Sequence, residues 1–446
     1  MKRTIIIALI AVTGFSCGNS NKSGGDSFET KLDDFIDVLY QNNKFMGSVS
    51  LSKNGTVIYS KSIGFADIER EIKATAATRY RIGSISKMIT ASMVFKAAEE
   101  GKLDINQSIE NYFPDIVNAK HITVGDLLNH RSGIPSFTKD KTFFEYHTEH
   151  KSREEMIRLI SDYPSNFDPG SMNEYSNSNF YLLSIILEKI YDTSFNELIL
   201  DKISTPLELQ NTYYGGDIKL ESNESNSYTF SSTWVKETAT HLSIPMGGGS
   251  ILSTPVDLNT FIEALFNGQI ISKASIDQMT NVKDNYGMGI LPFAHANKNG
   301  FGHGGHIDGF HAISIYFPDE KLAISITANA LDYNINTMLT SILKCYFNES
   351  FEVPAFEQVE ITSGELEKYV GIYTGEGPGV FTVTRKNNIL HAQLNDGPND
   401  PLKYLGNHTF TNEEVGANFR FDPTKNQLGL EQSGVADTYL FTKNSQ

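Results

Sequence analysis

Ser84-Ile85-Ser86-Lys87 sets a hydroxyl and a primary amine three residues apart where a helix is expected to begin. On a helix this spacing puts both side chains on one face. A serine alcohol is a poor nucleophile until a neighbouring base takes its proton, and a lysine one turn away does so if its own charge is suppressed. The pair therefore reads as acyl-transfer chemistry. The same spacing recurs at Ser50/Lys53, Ser136/Lys139 and Ser341/Lys344, and context separates the four. Ser50 lies in the alternating run Gly47-Ser48-Val49-Ser50-Leu51-Ser52, where residues three apart point to opposite faces of a strand. Ser136 follows Pro135 in a loop, and Ser341 sits inside a helical run. Only Ser84 follows a glycine and opens a helix.

That helix is expected from about Ser84 through Met88, Ile89, Met93 and Phe95 to Gly101, a natural stop. It is apolar nearly all round as far as Phe95, the pattern of a helix buried in the middle of a domain. Its first amides can hold negative charge near the serine. Lys87, near its start, is then expected to be buried. Keeping such an amine neutral at pH 7 costs about 4 kcal/mol, within reach of burial and a polar clamp.

With 446 residues, 39% hydrophobic and 20% charged, the chain is large enough for a full core and more than one domain. A net charge of -16 argues against nucleic acid as a partner. Lys2 and Arg3 precede the apolar run Ile5 to Val12, too short for a mature bilayer span, so residues 1–16 read as a secretion signal. Gly14-Phe15-Ser16-Cys17 is similar to the lipobox of bacterial lipoproteins, with Phe15 a departure from its usual small residue. That likeness implies lipidation of Cys17, a polar tether over residues 17–27, and a periplasmic, outer-membrane or cell-surface protein exported across the inner membrane. Plain cleavage and free secretion is the alternative. Gly14 to Gly18 also matches a nucleophile-elbow pattern, which its place in the signal makes spurious. Cys345, in an apolar helix, reads as an unpaired core thiol.

The chain divides near Pro354. Residues 28–350 mix strand patterns with long amphipathic helices, an α/β (α+β) body. Beyond it, over residues 355–446, come short strand-like runs such as Val380-Phe381-Thr382-Val383, Leu390 to Leu394, Asn418 to Phe421 and Thr438 to Phe441, separated by turn residues. A small antiparallel barrel or sandwich is expected there.

Two further stretches carry chemistry. In Tyr175-Ser176-Asn177, on a turn-rich loop, the phenol can shuttle a proton and the amide can clamp a substrate. Gly302-His303-Gly304-Gly305-His306 leads into an alternating strand, where glycines let a substrate backbone lie close. Gly300, Gly302 and Gly305 spell a dinucleotide fingerprint, but a strand follows where that motif needs a helix. His303, His306 and His311 have no carboxylate or thiolate cluster beside them, and on a strand His303 and His306 face opposite ways. Neither a metal nor a cofactor is expected.

Taken in order, Ser84-Ile85-Ser86-Lys87, Tyr175-Ser176-Asn177 and His303-Gly304-Gly305 resemble the three motifs of the serine β-lactamase and penicillin-binding protein superfamily, in its class C-like branch. The resemblance extends through Leu127 to Pro135 and Gly247 to Thr254, and covers about residues 28–350. The tail, with Tyr369-Val370-Gly371-Ile372-Tyr373, is similar to the lipocalin-like barrel often appended to such proteins. The likeness implies a helical subdomain packed on an antiparallel sheet flanked by helices, with the site between them. It implies that Ser84 attacks a carbonyl, that Lys87 and Tyr175 share the general-base role, and that Asn177 orients the substrate. The backbone N–H groups of Ser84 and His306 would hold the oxyanion, each worth about 3 kcal/mol in the transition state. Where many β-lactamases carry a lysine, this chain has His303, which attracts a substrate carboxylate less.

The reading that follows is a secreted serine hydrolase acting on an amide or ester bond of a small peptide, β-lactam or ester. Its rival is a weak or inactive relative that binds a cell-wall peptide or a partner protein.

Overall fold

The structure, a computed structural model, describes residues 27–356, 361–375, 377, 379–412, 415–432 and 438–444. The expected signal segment and Cys17 lie outside the described residues. Helix α1 (Phe28–Gln41) starts where the Ser27 hydroxyl accepts from the Thr30 N–H. Strands β1 (Phe45–Lys53) and β2 (Thr56–Ile63) follow as a hairpin. After helices α2 (Ser86–Glu99), α3 (Asn177–Tyr191) and α4 (Pro255–Phe266), the chain returns to the sheet. It does so in four consecutive antiparallel strands: β3 (Leu291–His295), β4 (Lys298–Ile307), β5 (Phe310–Phe317) and β6 (Leu322–Leu331). Helix α5 (Ile335–Tyr346) then closes the body.

The sheet order is β3-β4-β5-β6-β1-β2, so the first hairpin pairs with the last strand of the body. Period two sorts β5 between two cores. Ile313, Ile315 and Phe317 face α1 and α5, joining Leu32, Phe35, Met338 and Ile342. Ala312 and Tyr316 face the other way, toward Leu258 and Phe261 of α4 and the larger helical core. Helix α2 runs through that core with Met88, Ile89, Val94 and Phe95 all at 1% exposure or less. At about 1.5–3 kcal/mol per fully buried large apolar side chain, this burial fixes the helix that presents the nucleophile.

From Gly371 onward, eight strands close into an antiparallel barrel: β7 (Gly371–Gly375), β8 (Phe381–Lys386), β9 (Ile389–Leu394), β10 (Asn399–Gly406), β11 (Thr409–Asn412), β12 (Ala417–Asp422), β13 (Gln427–Gln432) and β14 (Tyr439–Lys443). Closure is made by β7 against β14, with Tyr373 opposite Lys443. The barrel has its own core, among it Tyr373, Phe381, Leu390, Phe410 and Phe441. Of the expected alternatives the closed barrel is the one present. Among the described residues no helix is long and apolar enough to cross a membrane.

Candidate active site

The helix begins later than its sequence pattern predicts. Gly83–Ile85 form a 3-10 turn and the α-helix proper starts at Ser86. Gly83 has φ +51, and a Cβ there would stand 2.7 Å from the His306 nitrogen. Glycine is therefore required both for the backbone angle and for the approach of β4. Ser84 sits on this turn, half-buried, with Lys87 one turn further into the helix.

Lys87 is fully buried. Its Nζ lies 2.9 Å from Ser84 Oγ, 2.7 Å from Asn177 Oδ1 and 2.8 Å from the Gly248 carbonyl. Burial pushes the amine well below its ordinary pKa. A neutral amine has two N–H donors and one lone pair, a set that three such partners would satisfy. The Tyr175 hydroxyl donates to Ser84 Oγ at 2.7 Å. Burial raises the phenol far above its usual value, so Tyr175 holds its proton. Ser84 Oγ thus joins the other two groups, 2.7 Å from the Tyr175 hydroxyl and 2.9 Å from Lys87 Nζ.

Asn177 is the first residue of α3, not part of the preceding loop, and Tyr175 lies two residues before it. The Asn177 amide nitrogen donates to Thr138 Oγ1 at 2.9 Å, which fixes its oxygen toward the lysine. β4 crosses in front of Ser84. A Cβ on Gly305 would lie 1.9 Å from the Ile82 carbonyl and 3.2 Å from the Ser84 nitrogen, so this glycine is set by close approach. The strand also separates its histidines, with His303 buried and His306 exposed. His303 bonds to the Gly304 carbonyl, and burial pushes its pKa down to about 3. His306 stacks on the cross-strand His311 with ring centroids 4.4 Å apart. A cleft of about 1260 Å³ opens from Ser84, Tyr175, Asn177 and Gly305.

Ser84, Lys87, Tyr175, Asn177, His303, Gly305 and His306 are thus gathered at one end of that cleft or directly behind it. Two partners of this cluster carried no assigned role in the sequence. His130, at φ +62, is buried with its ring 4.5 Å from that of Tyr175, and its Nδ1 accepts from the Ser176 N–H. Burial holds it well below the usual histidine range, so it props the phenol as a neutral ring. Gly248 supplies the third partner of the lysine from the turn Met246–Gly248. Gly247 beside it admits no side chain, since a Cβ would meet the Phe180 carbonyl at 2.6 Å. The Gly247-Gly248-Gly249 run was the available signal.

The profile of the beta-lactamase family matches residues 33–336. Teichoic acid D-alanine hydrolase from Staphylococcus aureus (strain MRSA252) is 28% identical over 240 residues, 53% of this chain and 58% of that protein. The chain thus aligns with little more than half the length of this curated relative. Among solved structures, the penicillin-binding protein homologue from Pyrococcus abyssi superposes with a TM-score of 0.66 at 24% identity, over 93% of this chain and 99% of that one. D-amino acid amidase from Ochrobactrum anthropi gives a TM-score of 0.65 at 21% identity, over 72% of this chain and 99% of that one. At these identities the two structures speak for the fold.

Proposed function

The chain belongs to the beta-lactamase family, and on that premise we propose that it is a serine hydrolase forming an acyl-enzyme through Ser84 and cleaving an amide or ester of a small D-aminoacyl group. The observation that carries this reading is the Lys87 amine, buried and 2.9 Å from Ser84 Oγ. Lys87 takes the Ser84 proton as the oxygen attacks the substrate carbonyl. The N–H groups of Ser84 and His306 receive the oxyanion. Tyr175 gives its proton to the leaving amine or alcohol, and the phenolate takes back the proton that Lys87 received from Ser84. Water then enters where the leaving group departed, and the same groups run the proton transfers in reverse. The D-aminoacyl choice draws on the hydrolase and the amidase named above.

The proposal extends to location: export by residues 1–16 and a lipid anchor on Cys17, outside the cytoplasm. Metabolic labelling with a palmitate analogue, lost in Cys17→Ser, tests the anchor.

A fluorophosphonate probe tests the chemistry. One adduct on Ser84, absent from Ser84→Ala, is expected, together with turnover of D-alanyl amides or p-nitrophenyl esters. Correctly folded protein that takes no adduct would instead support a binding protein.

A further inference from the structure

Tyr175, the phenol that faces Ser84 Oγ, leaves the chain from an extended segment just ahead of α3, so no helix holds it. Rings hold it instead. His130 packs at 4.5 Å and His303 at 6.3 Å, both buried behind the cleft, and Tyr286 packs at 6.2 Å. Tyr286 also meets the His130 ring edge-on, with centroids 5.5 Å apart. These spacings lie in the range where aromatic pairs attract. Of the three supports, Tyr286 is the one that also lines the cleft and that a substrate can touch.

The position of Tyr286 is itself built. Lys283 and Tyr286 exchange both backbone hydrogen bonds, at 2.9 and 3.0 Å, around Asp284 and Asn285. The φ values of those two, +48 and +68, make this a two-residue hairpin turn, and Asp and Asn tolerate such left-handed backbone. The tip of the turn is tied to the segment that leads to Tyr175. The Asp284 carboxylate pairs with Arg131 at 2.6 Å, and the Asp284 carbonyl accepts from the Asn173 side chain at 2.9 Å. Arg131 directly follows His130 and also donates to the Gly170 carbonyl at 2.6 Å. One ion pair thereby couples the turn carrying Tyr286 to the backbone of both rings it packs against. Aim matters here, because a general acid delivers its proton only from hydrogen-bond reach, and a drift of about 1 Å is costly.

Resting on the hydrolase reading above, we propose that Tyr286, pinned by the Asp284–Arg131 pair, is a positioning residue for Tyr175, its ring being the cleft-side stop that keeps the phenol aimed at Ser84 and the leaving group.

Leaving groups separate this role from packing alone. Amide cleavage needs a proton on the departing nitrogen, whereas p-nitrophenolate leaves without one. The test compares kcat/KM on D-alaninamide and on p-nitrophenyl acetate, both of which report acylation. Tyr286→Ala should lose about tenfold or more on the amide and stay within about threefold on the ester. Tyr286→Phe keeps the ring and should bring the ratio of the two back to within about twofold of wild type. Asp284→Asn, at an exposed carboxylate, should shift the ratio the same way by about threefold, and it carries the test should the alanine variant fail a thermal melt. Equal losses on the two substrates, no recovery with phenylalanine, or a wild-type ratio in Asp284→Asn overturns the assignment while leaving the hydrolase standing. A wild type that cleaves the ester and not the amide has no working acid to position, and overturns it too. A wild-type protein that takes no adduct at Ser84 overturns both readings.

Discussion

The Lys87 amine lies 2.7 Å from Asn177 Oδ1 with no surface open to solvent, so the group that would activate Ser84 is held by an uncharged acceptor. A carboxylate in its place would stabilise the ammonium. The neutral amide, oriented by Thr138, satisfies an N–H without supplying a counter-charge.

Asn177→Asp should therefore raise the Lys87 pKa and move the acid limb of the kcat/KM profile to higher pH. Asn177→Ala should lower kcat/KM by about 100-fold without that displacement, since it removes a partner and adds no charge. A pH–rate profile of each variant checks both.

Lys87→Ala should lower turnover by roughly three orders of magnitude. Stability should change little, and Lys87→Met should raise it at pH 7. The sign follows from linkage: with the folded pKa depressed, the unfolded chain holds a proton that the folded one lacks. Stability then rises with pH from the folded value up to the unfolded one, and below that window the buried amine is a burden. Urea midpoints against pH for wild type and Lys87→Met measure it.

His303 obeys the same sign at lower pH. Its pKa falls from 6.5 to about 3 on folding, so between those values the unfolded chain binds the extra proton and stability drops as pH falls. His303→Gln should flatten the stability curve across that window, as read by denaturant midpoints from pH 7 to pH 4.

Adjacent glycines on β4 should respond very differently to alanine. At Gly304 the nearest atom to a new Cβ is 3.8 Å away, whereas at Gly305 the Ile82 carbonyl is at 1.9 Å. Gly305→Ala should push β4 off the Ser84 turn and lower activity at least 100-fold. Gly304→Ala should stay within a fewfold in kcat and close to wild type in melting temperature.

Much of this arrangement was legible in the chain. The apolar surround of α2 implied a buried Lys87, and period two on β4 separated His303 from His306. The apolar residues beyond Pro354 form a core cluster of their own, from Leu366 to Phe441. The barrel strands that stand out in the sequence are the apolar, alternating ones. β10, with Pro401 in it, and β13, with polar residues at both ends, carry too little periodicity to stand out. The start of α2 was misjudged because the 3-10 turn at Gly83 answers to the approach of β4, a contact over 200 residues away in sequence. His130 and Gly248 were missed as partners for a similar reason: a supporting ring and a backbone carbonyl have no spacing signature, and only the folded chain brings them to Tyr175 and Lys87.

The central claim is that an uncharged Lys87 makes Ser84 nucleophilic, and the pre-steady-state release of p-nitrophenol from p-nitrophenyl acetate tests it most directly. Wild type should give a burst approaching one equivalent, with an acetyl group found on Ser84 by mass spectrometry and a burst rate that falls as pH is lowered; folded Lys87→Ala should give none. A full burst of unchanged rate from Lys87→Ala would contradict the account.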